Sequence, residues 1–536
     1  MSQKFTRRTF VASTLSACSL ASGRKQDEDT TAPTDAENAP VVGVSSRRES
    51  VRPNILFVFS DQHRFDSLGC MDHPVARTPN LDRLAAEGVL FRRAYTNGPL
   101  CRPARASMMT GTYTHQHGVD HNLGVIANPQ GPSHVRDLRA NGYETGLVGK
   151  AHLYFGDNHP DNYKFLMDDW GFSSTVELVG PTEQTWRSTA YSEFLQATTP
   201  PGEEDKFQRW LDYNKQYTWT SPPPDVEPWN LGTEDHMDVF TAEKAIEWLE
   251  NRESGRPFYL QLNFPGPHKP FDATSEFRDQ FPTTDPALPE VISDPPTGDV
   301  SPHVEQLLKI KSEEWTDESV ANLQTSYYAK VMLVDMALGR VLDAMEASGL
   351  LDNTWIIYCS DHGEMLADHS LTGKIVFFEG ATRVPLIIRP PGGLQQGWVS
   401  DGLVDTVDVT ATILELAGAK NPSLPGKSVA KKVMLGGDHP EANFHKTFVV
   451  SSNIGDAMIR SNLYKVCFDF ARGQATEAYD LGNDPLERNN VVNDPDYREI
   501  VEEHVTWLMS EVANHPPLAD QVDFDTPSGG SDTGLP

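Results

Sequence analysis

NILFVFSDQ, residues 54–62, is the stretch that decides the fold. From Asn54 to Phe59 it is almost continuously apolar, and it then turns polar at Ser60, Asp61 and Gln62. Strict alternation would mark a strand with one wet face. A run apolar on both faces suits a strand buried between two layers, as in a parallel sheet. The pattern recurs in TWIIYC, residues 354–359, followed by Ser360, Asp361 and His362. It recurs again in PFYLQLNF, residues 257–264, followed by PGPHKPF with His268, and in TGLVG after Tyr143, followed by Lys150 and His152. Between these runs lie helical patterns: TPNLDRLAAEG, MDVFTAEKAIEWLENR and YAKVMLVDMALGRVLDAMEASG, the last ending at Gly349 as a helix should. Strands alternating with helices predict an α/β fold with a large, mostly parallel sheet flanked by helices. In such a sheet the loops beyond the carboxyl ends of the strands converge on one crevice. One Asp after a strand is a turn or a cap. Several strands that each end in Asp, Gln, His or Lys point to a site.

The chain has 536 residues, enough for a large domain and a smaller one. We expect a catalytic domain over 51–420, with an insertion on its rim at about 155–235, where Trp, Tyr, Pro and acidic residues break the pattern. After about 420, MIRSNLYKVCFDF and ATEAYDLGNDPLERNN read as a small antiparallel sheet, and YREIVEEHVTWLMSEVANH as a helix. These predict a smaller C-terminal α+β domain over 421–520, with residues 521–536 as a disordered tail. At the other end, Arg7 and Arg8 before VASTLSACSLASG resemble a twin-arginine export signal, and Leu15–Cys18 resembles a lipoprotein processing box. We read 1–18 as the signal, Cys18 as the lipidation site and 19–50 as a flexible tether. The expected location is outside the cytoplasm of a bacterium: periplasmic, anchored to the outer membrane, or at the cell surface. Membrane contact would come only through the lipid.

Composition narrows the chemistry. A formal net charge of −31 excludes nucleic-acid binding through bulk charge. An anionic substrate would need positive charge gathered locally. Five cysteines at this spacing form no metal cluster of the C-x-x-C kind and no disulfide framework. Cys359 and Cys467 lie in apolar runs and read as small core residues. Cys101 is different. It opens CRPARASMMTG, residues 101–111.

CRPAR followed by a Thr-Gly resembles the signature of the type I sulfatases, C-x-P-x-R, within the alkaline phosphatase superfamily. What accompanies it in chain order carries the resemblance further: NILFVFSDQ before it, then VGKAHL, PHKPF, SDHGEMLADHSLTGK and EGATRVPLIIRPPG. The similarity runs from about residue 52 to YDLGNDPLERNN. It implies an alkaline-phosphatase-like fold and a nucleophile made by oxidising Cys101 to Cα-formylglycine, so a formylglycine-generating enzyme is an expected maturation partner. Lys150 and His152, in GKAHL, alternate along what reads as an extended segment and so project the same way, and the resemblance implies that Lys150 binds the nucleophile and a sulfate oxygen. His152 would remove a proton from the second hydroxyl of the aldehyde hydrate, so that the covalent sulfate ester collapses. His268 and Lys374 would contact the leaving oxygen and the sulfate, with His268 the proton donor. Arg105, one helical turn beyond Cys101, would hold the nucleophile or reach Asp61.

Cleaving a sulfate ester also calls for charge neutralisation on the sulfuryl oxygens, which a hard cation supplies. Asp61, Gln62, Cys101 (as formylglycine), Asp361 and His362 form the expected metal set. Oxygen ligands suit Ca²⁺ or Mg²⁺. The imidazole of His362 stands where many members have Asn, and Gln62 stands in place of a second Asp. His362 opens the site to Mn²⁺. We expect Ca²⁺. His117, His121 and Asn122, in THQHGVDHN, and His369 beside Asp368 are candidate substrate contacts.

The substrate expected is a sulfated carbohydrate, a poly- or oligosaccharide. The alternative is a phosphonate monoester or phosphodiester hydrolase of the same superfamily. Such enzymes resemble this chain in the Asp-Gln and Asp-His pairs, but the resemblance implies Tyr and Thr in them where this chain has Lys150 and His152. A non-catalytic glycan-binding relative would lack a key residue, and none is missing. A cysteine phosphatase would need Arg six positions after the cysteine, where Ser107 stands.

Overall fold

The computed structural model describes residues 52–518, apart from 123–127, 154–163, 181–188, 216–226, 254, 295, 297–299, 311–314, 420 and 422. The expected export signal, Cys18, the tether and the tail from 521 lie outside the described residues.

NILFVFSD forms strand β1, Asn54–Asp61, and all its residues are buried. Successive side chains of a strand point to opposite faces, so a strand buried on both sides needs two separate cores. β1 has them. Ile55, Phe57 and Phe59 pack with Met108, Met109, Val409 and Ile413, while Leu56 and Val58 pack with Ala242, Leu249, Val334 and Leu338. Each such side chain contributes roughly 1.5–3 kcal/mol by leaving water.

Seven more strands complete the main sheet: β2 Val89–Phe91, β3 Glu144–Lys150, β4 Ser174–Leu178, β5 Phe258–Pro267, β6 Thr354–Ser360, β7 Leu386–Arg389 and β8 Trp398–Ser400. Their order is β8-β2-β7-β6-β1-β5-β3-β4. From β6 to β4 every pairing is parallel. Only β7 runs against its neighbours, β6 and β2. The sheet is therefore large and mostly parallel, as the unbroken apolar runs predict.

Helices cover both faces. On the Leu56 face lie α2, Met237–Asn251, and α3, Asp317–Ala347. On the Ile55 face lie α1, Cys101–Thr110, and α4, Thr406–Leu416. The 31-residue α3 starts earlier than its apolar repeat suggests, because Thr316 and Ser319 close a capping box at its amino end.

Within the stretch read as a rim insertion, Ser174–Leu178 becomes β4, the edge strand that pairs with β3. Around it Leu178, Tyr191, Leu195, Trp210, Tyr213 and Trp229 form their own apolar cluster. Beyond residue 420, strands Phe448–Asn453, Asp456–Ser461, Tyr464–Asp469 and Gln474–Asp480 form an antiparallel sheet in sequential order. Helix α5, Arg498–Asn514, sets Leu508 against Val450, Ile459 and Val466 of that sheet. No helix among the described residues is long and apolar enough to cross a membrane.

Candidate active site

Four strands deliver their carboxyl ends to one place. β1 ends at Asp61, β6 ends just before Asp361, β3 ends at Lys150, and β5 ends just before His268. Register brings the first two level, since Ser60 pairs with Ser360. The Asp361 carboxylate then ties the two ends together. Its Oδ1 accepts from the backbone N–H of Gln62 at 3.0 Å and of His362 at 2.9 Å.

Cys101 is the first residue of α1 and is 2 % exposed. Its Sγ lies 3.2 Å from His362 Nε2, 3.2 Å from Lys374 Nζ and 4.0 Å from Asp61 Oδ1. His152 and His268 also hydrogen-bond the thiol. Four residues on, Arg105 turns back beneath Cys101, donating from Nε to Asp361 Oδ2 at 2.9 Å and from a terminal nitrogen to Asp61 Oδ2 at 3.2 Å. Lys150 Nζ reaches the same Asp61 oxygen at 2.5 Å. Lys374 Nζ bridges Cys101 Sγ and Gln62 Oε1, the latter at 2.7 Å.

The charges shape one another. Burial opposes ionisation of the Cys101 thiol, but Lys374, Lys150, His362 and the His152 hydrogen bond outweigh it and hold the thiol well below its ordinary value. Burial and Cys101 push the Asp61 carboxyl up, yet Lys150, His268 and Arg105 hold it well below the usual range. Burial lowers His268, helped by Lys374 and Lys150. His362 moves the other way, because Asp361 outweighs its burial. The His362 Nδ1 lies 3.0 Å from the Gly363 carbonyl and donates there, which leaves Nε2 on the Cys101 side, able to offer a lone pair when the ring is neutral. The ligand atoms of Asp61, Cys101, Asp361 and His362 all lie within 4.8 Å of one another. Two carboxylates and an imidazole nitrogen, neutral once a cation takes the place of its proton, make a donor set that fits a divalent cation.

The sulfatase family model matches residues 53–419. The chain belongs to the sulfatase family. A second model, described as the N-sulphoglucosamine sulphohydrolase C-terminal region, matches residues 367–514 of this sulfatase. An arylsulfatase of Clostridium perfringens is 26% identical over 483 residues, covering 84% of this chain and 92% of its own length. An N-acetylglucosamine-6-O-sulfatase of Bacteroides thetaiotaomicron is 26% identical over 520 residues, covering 84% of each. Among solved structures, the phosphonate monoester hydrolase of Agrobacterium radiobacter superposes with a TM-score of 0.72 at 25% identity, covering 87% of this chain and 96% of the other. The α/β sheet and the superfamily are those the sequence resemblance implies, and the chain is a sulfuric ester hydrolase.

In this sulfatase Cys101, Arg105, Lys150, His152, His268, Lys374, Asp61, Gln62, Asp361 and His362 come together. One detail departs from the sequence reading. Lys150 and His152 do not alternate along an extended segment. β3 stops at Lys150, and His152 takes φ +52, a left-handed conformation unusual for a side chain of that bulk. The turn, not the pleat, brings both to Cys101.

The four candidate substrate contacts are placed differently. His117 is buried, with Nε2 2.9 Å from Ser107 Oγ and Nδ1 accepting from Val119 N–H, and burial pushes it down to about 3. Asn122 accepts at Oδ1 from the Arg102 backbone N–H at 3.0 Å, and so holds the amino end of α1 beside Cys101. His369 stacks on Phe378, ring centroids 4.1 Å apart, and bonds the backbone of Leu486. His121 is half-buried.

Sequence reasoning passed over three further residues. Gly149 has φ +104, and a Cβ there would meet the Asn263 carbonyl at 1.9 Å. Asn263 itself donates to the Lys150 carbonyl at 2.8 Å. Glu364, 1 % exposed, takes the amide nitrogen of Gln62. Its signal was present in SDHGE, where a carboxylate follows Asp361 by three residues on a buried turn.

Proposed function

We propose that this sulfatase removes sulfate from a sulfated carbohydrate, using a formylglycine made from Cys101 by a formylglycine-generating enzyme and a divalent cation held by Asp61, Gln62, Asp361 and His362. The observation that carries this is the ring of Lys150, Lys374, His152 and His268 around Cys101, set directly over the carboxylate pair. The formylglycine supplies a hydrated aldehyde, whose first hydroxyl attacks sulfur and whose second allows release, a route closed to serine. The cation, Ca²⁺ in this reading with Mg²⁺ or Mn²⁺ as substitutes, supplies charge neutralisation for the sulfuryl oxygens.

The chain's own residues do the rest. Lys150 and Lys374 bind sulfate oxygens in a site closed to water, where fixed positive charge is most effective. Arg105 fixes both carboxylates. His268 Nδ1 lies 2.7 Å from the Lys269 carbonyl, which leaves Nε2 for the leaving oxygen. Burial, Lys374 and Lys150 hold the pKa of the ring down, so His268 acts as proton donor in its imidazolium form, which gives up the Nε2 proton readily. His152 takes the proton that frees sulfate. The carbohydrate class draws support from the N-acetylglucosamine-6-O-sulfatase relative. Export to the periplasm, outer membrane or cell surface, with a lipid on Cys18, suits such a polymer.

A phosphonate monoester hydrolase is the second reading, favoured by the Gln62 and His362 pairs and by the Agrobacterium structure. The test is sulfate release from a panel of sulfated glycans, with aryl sulfate and aryl phosphonate esters alongside, using protein co-produced with the maturation enzyme. Release from one glycan supports the first reading. Turnover confined to the phosphonate would overturn it.

A further inference from the structure

Gln62 is held at every polar atom. Its backbone N–H donates to Asp361, and its backbone carbonyl accepts from the Tyr327 hydroxyl at 2.7 Å. Its side-chain Nε2 donates to Glu364 Oε2, and its Oε1 accepts from Lys374 Nζ at 2.7 Å. An amide can be turned end for end, and neighbours decide which end faces where. Here the neighbours leave no choice. A carboxylate only accepts and an ammonium only donates, so the nitrogen must face Glu364 and the oxygen must face Lys374, on the Cys101 side.

Glu364 is fixed in turn. Its Oε1 accepts the backbone N–H groups of Leu366 at 3.0 Å and Gly373 at 2.5 Å, which leaves Oε2 for Gln62. We propose that Glu364 is a positioning residue for the cation site: it locks the Gln62 amide so that Oε1 faces the cation, and places a third carboxylate one layer behind the ligands. This rests on the divalent-cation reading given above. The arrangement keeps the inner ring at two carboxylates, Asp61 and Asp361, while Glu364 polarises the neutral ligand from behind.

A reciprocal exchange tests it without any substrate. In Glu364→Gln the carbonyl of the new amide stays with the two loop N–H groups. Its NH₂ then faces Gln62 and forces that amide to turn its nitrogen toward the cation. Chelator-stripped full-length protein would be titrated calorimetrically with Ca²⁺, Mg²⁺ and Mn²⁺, each alone. The expected result is roughly 10–100-fold weaker binding in Glu364→Gln. In the double variant Gln62→Glu/Glu364→Gln, the new carboxylate accepts from the new NH₂ with one oxygen and offers the other to the cation. It should recover most of the lost affinity. A purely structural role for Glu364 in its loop would not be rescued from position 62.

An unchanged dissociation constant in Glu364→Gln, or a double variant no tighter than that single one, would overturn the proposal while leaving the cation reading intact. Should Glu364→Gln fail to fold, Gln62→Leu leaves the loop contacts in place and should weaken binding to a similar degree. Unchanged binding there overturns the proposal as well. A parent protein that binds none of Ca²⁺, Mg²⁺ or Mn²⁺ would remove the cation reading, and this one with it.

Discussion

Two clusters of buried charge among the described residues, one around Cys101 and one behind the His268 loop, are built differently. The second centres on Lys330 of α3. Its Nζ lies 2.5 Å from Asp272 Oδ1, 3.1 Å from Asp238 Oδ2 and 2.8 Å from His236 Nε2. Asp238 also accepts the Gly266 N–H at 2.8 Å, and the Asp272 N–H bonds Pro270, so the quartet ties down both ends of the loop that carries His268. There the charges close on one another. Around Cys101 they do so only in part, since Arg105 and Lys150 pair with Asp61 and Asp361. Lys374, His152, His268 and His362 turn instead to the Cys101 sulfur. Both clusters carry the cost of taking ions out of water. One returns a fixed loop. The other leaves a lysine and three histidines directed at Cys101, where the proposed function places a sulfate ester beside a divalent ion. Buried charge marks a site when its donors aim at a shared point, not when they satisfy each other.

Substitutions sharpen the contrast. Cys101→Ala should abolish sulfate release, by about 10⁴-fold or more, with thermal stability little changed, because it removes the proposed nucleophile and leaves the ion pairs standing. Lys330→Ala should do the reverse in kind. It strands two buried carboxylates and should cost about 3–5 kcal/mol in urea unfolding. If Cys101→Ala instead unfolds the chain, or Lys330→Ala leaves stability untouched, the division between the clusters fails.

His268→Ala should slow esters of poor leaving groups by about 10²-fold or more, and activated aryl sulfates much less. Equal losses on both would exclude His268 as the proton donor. The smallest effect is a pH dependence. Burial pushes Asp272 up, but Lys330 and His236 outweigh it and bring the carboxyl down to about 2 from 3.8. A depressed carboxylate stabilises the fold above its unfolded value and loses that contribution as pH falls. About 2 kcal/mol should therefore disappear between pH 4 and pH 2, and less of it in Asp272→Asn. Parallel acid unfolding of the two proteins would contradict the assignment.

The fold was legible because the deciding strands are buried on both faces. NILFVF, TWIIYC and PFYLQLNF carry that burial openly, and their polar ends pointed to the crevice. β4 was hidden because an edge strand half open to solvent has no such run: Ser174, Thr175 and Val176 are only part-buried. The core of the site was legible through residue order around Cys101. What was missed depends on backbone turns and on neighbours distant in sequence. The left-handed turn at His152 has no local signature, and Glu364 becomes meaningful only when its loop folds back to Gln62. His117 read as a possible substrate contact because a histidine's partner, here Ser107 one helix back, cannot be seen in a string of letters.

The most direct test of the central claim is sulfate release measured against the fraction of Cys101 converted to the aldehyde. Protein would be produced with graded amounts of the maturation enzyme and the Cys101 peptide quantified by mass spectrometry. Turnover should rise in proportion to aldehyde content and vanish where only cysteine is found. Turnover that persists in the unconverted protein, or in Cys101→Ala, would show that the nucleophile lies elsewhere.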